Sequence, residues 1–176
     1  MGHIHDSEWV AVDYIVCSAA TTPTFASGGA GARGYVPDGN KDLAYRIRYD
    51  LIGGASGAIG RIELQAGTTN QSGVEFTADG TTTAGTALTN LGLVCNSGTA
   101  SSRHQGEWVM YGAATGNQRT SLLDSATAGA AQRVVMTGGR YNDTTTNITS
   151  IRFNITTGAV SGRIWLFVKN PQKGGF

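Results

Sequence analysis

The stretch Asn147–Asn170, NITSIRFNITTGAVSGRIWLFVKN, carries the strongest pattern in the chain. It reads as two β-strands, Thr149–Ile155 and Gly162–Val168, joined as a hairpin at TTGAVSG, with the apolar alternation of strands that bury one face. No catalytic motif follows it. Similar short segments, rich in β-branched and aromatic residues, recur at Glu8–Cys17, Tyr45–Ile52, Ala58–Gln65, Val74–Thr77, Leu88–Cys95, Glu107–Tyr111 and Arg133–Thr137. Strands at this spacing point to an all-β antiparallel β-sandwich.

The cleanest alternation is YRIRYDL. Tyr45, Ile47, Tyr49 and Leu51 fall on one face, which reads as buried, and Arg46, Arg48 and Asp50 on the other, which reads as wet. The glycines of the following IGGASGA suit a turn, so this strand and Ala58–Gln65 are expected to form a local antiparallel pair. Thr120–Val135, TSLLDSATAGAAQRVV, reads as a loop or short turn. A short helix capped by Thr120 is the alternative, opposed by Gly129 and the Ser/Thr content. Three other stretches, Ser18–Asp42, Thr77–Asn90 and Asn96–Gly106, are dominated by turn-formers. Ser18–Asp42 is long enough to need a function or a neighbour, and is read either as an intersubunit arm with Phe25 and Tyr35 as its anchors or as a mobile surface loop.

With 176 residues the chain is the size of one domain with a real core. The whole chain, 1–176, is read as one domain, with 1–7 as an N-terminal extension and 169–176 as a short C-terminal tail. Charged residues make up 14%, against about 25% in an average soluble domain, and Gly is abundant at 26 residues. A net charge of +1 without a Lys/Arg run argues against nucleic acid as the main partner. The apolar runs are too short for a membrane span, and no basic segment precedes the first of them, so no secretory signal is expected. Cys17 and Cys95 lie in apolar strand-like contexts and read as buried free thiols rather than a disulfide or a metal site. The sequons at Asn70, Asn142, Asn147 and Asn154 are what a Thr-rich chain produces by chance.

Chemistry is sparse. His104, in SSRHQGEW, reads as a solvated loop histidine rather than the base of a triad. Asp13, Asp50, Glu63, Glu75, Glu107 and Asp124 are the carboxylates from which a glycoside-hydrolysing pair would have to come, and nothing in the sequence brings two of them together. His3 and His5, in MGHIHD, could bind Cu or Ni, or a metal on a trimer axis, but read first as an ordinary exposed terminus. No catalytic residue, cofactor or metal site is therefore assigned. Trp9, Trp108 and Trp165 fall in strands, where core or interface is expected, while Tyr35, Tyr111 and Tyr141 lie in or beside loops and suit partner contact.

The second half of the chain resembles the small jelly-roll domains of tailed-bacteriophage virions: tail-fibre tips, needle knobs and head-attached decoration proteins. The resemblance spans roughly residues 88–168 and rests on GEWVMYG (Gly106–Gly112), the bridge TSLLDSATAGAAQ, GGRYNDTTTNITSIRF (Gly138–Phe153) and GAVSGRIWLFV (Gly158–Val168). Ile148, Ile151, Gly162, Arg163, Ile164 and Leu166 fit the family's closing strands, while Phe167 and Val168 replace its Tyr-Gly ending. The resemblance implies a jelly roll with the Ile148–Val168 segment as central framework. It also implies a non-enzymatic virion protein made in the bacterial cytoplasm, in the head decoration, tail or fibre, working as a homotrimer with other virion proteins. Host attachment through a surface glycan is the alternative, and a polysaccharide hydrolase ranks last. The expected contact residues are Phe25, Tyr35, Trp108, Tyr111 and Tyr141.

Overall fold

The computed structural model describes residues 9–54, 59–65, 71–78, 83–88, 93–96, 101–128 and 132–169. Every regular element among them is a strand: β1 Val10–Ala20, β2 Thr24–Phe25, β3 Ala44–Gly53, β4 Ile59–Leu64, β5 Gln71–Ala78, β6 Thr83–Leu88, β7 Leu93–Asn96, β8 Arg103–Tyr111, β9 Arg119–Ala128, β10 Arg133–Tyr141, β11 Ile151–Ile155 and β12 Val160–Lys169. They form an eight-stranded sheet, ordered β1-β12-β3-β8-β9-β10-β5-β6, and a four-stranded sheet, ordered β2-β11-β4-β7. The first four strands of the larger sheet and the four of the smaller alternate along the chain except at β4 and β7, which pair with each other in the smaller sheet, and this is the jelly-roll arrangement. Two hairpins are added to it. β5–β6 lies between β4 and β7, β9–β10 lies between β8 and β11, and β10 pairs with β5 so that both extend the larger sheet beyond β8.

Alternation builds the core. Tyr45, Ile47, Tyr49 and Leu51 of β3 are buried as expected, facing Phe153 and its neighbours across the sandwich. The Tyr49 and Phe153 rings meet edge-on with centroids 5.8 Å apart. β12 lies between β1 and β3, so Ile164, Leu166 and Val168 are covered on both sides. Each such apolar side chain contributes about 1.5–3 kcal/mol by leaving water. Gly162 is required at its place in β12, because its φ is +133° and a Cβ there would collide with the Asp50 carbonyl.

Several expectations are corrected. The two strands of Asn147–Asn170 are not a hairpin: β11 pairs with β2 and β4, and β12 with β1 and β3. Nor do β3 and β4 pair, since the chain between them crosses from one sheet to the other. A jelly roll passes successive strands between its sheets, and a glycine-rich connection serves a crossover as readily as a turn. Thr120–Val135 is neither loop nor helix, because most of it forms β9 and the start of β10. Lys169 ends β12 rather than beginning the tail. Cys17 is a buried free thiol whose pKa burial pushes up to about 11; the side chain of Cys95 lies outside the described residues.

Ser18–Asp42 is not a free arm. Thr21 and Pro23 accept hydrogen bonds from the backbone N–H groups of Ile155 and Phe153, β2 pairs with β11, and Phe25 is fully buried. Farther along, the buried Asp13 carboxylate accepts from the N–H groups of Arg33 (2.8 Å) and Tyr35 (2.9 Å). The Asp42 carboxylate accepts from the Tyr35 hydroxyl at 2.7 Å, and burial together with this carboxylate raises the tyrosine's pKa. The loop is thus closed against its own domain by two buried carboxylates.

Candidate contact surface

The expected contact residues separate into two groups. Phe25 and Trp108 are 0% exposed and Tyr141 4%, so these three belong to the chain's own interior and are corrected as contact residues. Tyr35 packs half-buried against the core. Tyr111 is 50% exposed on the outer face of β8 and alone keeps a large accessible surface. The tryptophan sits inside because Trp108 shares its face of β8 with His104 and Met110.

His104 itself is 0% exposed, which overturns the expectation of a solvated loop. β8 begins at Arg103, so the histidine points inward, and its Nδ1 lies 3.0 Å from the Thr127 hydroxyl of β9. Desolvation lowers its pKa to about 4, leaving it neutral near pH 7. All of the candidate carboxylates but Asp124 are likewise tied into the fold. Asp50 pairs with Arg103 at 2.7 Å, Glu63 takes Arg152 at 2.8 Å and Asn154 at 2.9 Å, and Glu107 holds Arg48 and Arg46. Glu75 is buried and accepts from Thr77. Glu107 and Asp124 stand directly opposite each other, but on an open sheet face rather than in a cleft. Among the described residues no group of His, Cys, Asp and Glu could hold a metal ion; His3 and His5 lie outside them. No helix there is long and apolar enough to cross a membrane.

The outer face of the eight-stranded sheet has two halves of different character. Over β1, β12 and β3 it is partly covered by its own residues, the Arg46 guanidinium lying 4.5 Å from the Trp9 ring centroid and that of Arg48 5.7 Å from Phe167, while Val16, Ile52 and Tyr14 stand exposed singly. Beside them Trp165, Asp50, Ile52, Arg103, Gly162 and Arg163 line a hollow of about 330 Å³. Over β9, β10 and β5 the face is apolar and open. Leu122 and Val74 flank Gly138, and Met136 stands beside Phe76, with Val134 next along β10. Leu122 is 62% exposed, Val74 61%, Phe76 57%, Met136 57% and Val134 53%.

The inner face of the same strands is mixed, with Leu123, Val135 and Tyr141 buried among polar groups. Ser121, Ser125 and Thr127 of β9, Thr137 of β10 and Glu75 of β5 are all buried, and Arg119 is fully buried. The Arg119 guanidinium donates to the carbonyls of Asp143 (2.6 Å) and Thr146 (2.7 Å), fastening the segment before β11. The added hairpins thus bury a mixed face and carry large apolar groups on the open one, where the ordinary sheet pattern would place polar residues. Side chains of this size expose on the order of 100 Å² each at such fractions, so the contiguous patch reaches the several hundred Å² that mark an interaction surface. Compared with protein-family models, curated proteins and solved structures, the chain has no match.

Proposed function

We propose that the chain is a non-enzymatic structural protein of a tailed-phage virion, a head decoration or a tail or fibre component that works through assembly with copies of itself and with other virion proteins. The observation that carries this reading is the open apolar face of the added hairpins on a jelly-roll frame. A surface of that kind is costly to leave in water and is stable when another protein covers it. The sequence resemblance in Gly106–Val168 supplies the virion setting. The test is immunogold labelling of purified particles with antibody raised against the chain, together with mass spectrometry of the same particles. Labelling at regular positions on head or tail is expected, and a chain found only in the soluble lysate would contradict the proposal.

A second reading is host attachment through a glycan, favoured by the hollow around Trp165. An indole beside the Asp50–Arg103 pair and Arg163 combines an apolar wall with planar hydrogen-bonding groups, as small-ligand sites do. A glycan array distinguishes it: binding lost in Trp165→Ala supports attachment, and no binding by the parent protein sets it aside.

A further inference from the structure

We infer that the apolar outer face of β9, β10 and β5 is the surface on which a second copy of this chain packs. The inference rests on the assembly reading above and names its contact. Three observations select a second copy as the occupant.

The charges on the face are self-complementary. It carries one carboxylate, Asp124, beside Met136 at the edge of the patch, and one guanidinium, Arg140, at its end beyond the Leu122–Gly138–Val74 row. Asp124 stands opposite Met136, and Arg140 lies four residues on, about 13 Å along β10 at ordinary strand rise, which is too far for a bond within one chain. Neither has an ion-pair or hydrogen-bond partner among the described residues, whereas the adjacent Glu107 already holds Arg46 and Arg48. When two such faces meet, the carboxylate of one copy reaches the guanidinium of the next, as a surface contacting itself requires.

The relief is self-complementary as well. At Gly138 a Cβ would meet nothing within 4 Å, so the row Leu122–Gly138–Val74 has a gap between two raised side chains. Met136 and Phe76, in the next row, are knobs of a size to enter such a gap on a facing copy. The third observation is that the hairpins' own buried face, with Leu123 and Val135 among its polar groups, is already covered by the domain while the outer one is not. Folding alone leaves that outer apolar side unused, and a repeated copy brings the same unused side at equal concentration.

Sedimentation equilibrium of the full chain over a wide concentration range tests the inference. The parent is expected to self-associate. Gly138→Glu, which has room in the single domain, should keep the far-UV spectrum and raise the dissociation constant at least tenfold. Asp124→Arg and Arg140→Asp should each weaken association, and the two together should restore it to within a few-fold of the parent. A parent that stays monomeric would overturn the inference, as would variants that assemble like the parent or single changes that the double variant fails to rescue. These outcomes leave the virion reading standing, because it fails only if the chain is missing from particles.

Discussion

His104 shows how much a single side chain's surroundings decide. An imidazole with an ordinary pKa near 6.5 is held at about 4 because no water reaches it inside the sandwich. The folded state therefore binds the proton less readily than the unfolded state, and the contribution is fully present above about pH 6.5 and lost as pH falls toward 4. From pH 7.5 to pH 5.0 the parent should lose about 2 kcal/mol of stability through this residue alone. Urea unfolding of the parent and of His104→Gln at both values checks it: the gap between the two proteins should narrow by that amount at the lower pH. An unchanged gap would mean that the imidazole is solvated. The buried position was legible in principle, since His104, Trp108 and Met110 share a period of two, but the preceding Ser-rich run obscured where β8 begins. Arg119 gave no such signal, because a buried guanidinium that serves backbone carbonyls 24 and 27 residues away leaves no local pattern.

Among the elements, β12 is the framework strand, covered by β1 and β3 and filled by Ile164, Leu166 and Val168. Ile164→Asp would place an unpaired charge among them, and a loss of several kcal/mol is expected, read as a large drop in thermal midpoint. A parent-like midpoint would put Ile164 outside the core. Deleting Thr24–Val36 should likewise unfold the domain rather than merely release a partner, since it removes Phe25 and β2. β3 was legible because Tyr45, Ile47, Tyr49 and Leu51 sort to one face, and β12 because its Ile164–Val168 is an unbroken run of β-branched, aromatic and aliphatic residues. β9 was not, because Leu122 faces out while Leu123 faces in among Ser121, Ser125 and Thr127, so neither face is consistently apolar. Pairing was less legible than strand identity. A crossover between sheets and a hairpin turn use the same glycines, and only the whole jelly roll distinguishes them.

At the scale of the molecule, an eight-strand roll closes one core, and two inserted hairpins carry the larger sheet past it as a ledge. The ledge gathers the largest contiguous share of the apolar surface that the core does not consume, at Val74, Phe76, Leu122, Val134 and Met136, while Val16, Ile52 and Tyr111 are exposed elsewhere. The central claim is that this face is covered when the protein is assembled. Methionine oxidation tests it without any substitution, because Met136 is 57% exposed in the single domain and Met110 is 0% exposed. The assembled protein and a monomeric dilution are treated with peroxide and read by peptide mass. The account predicts that Met136 oxidises readily in the monomer and becomes as protected as Met110 in the assembly. Oxidation of Met136 at the same rate in both, with the assembly intact, would contradict it.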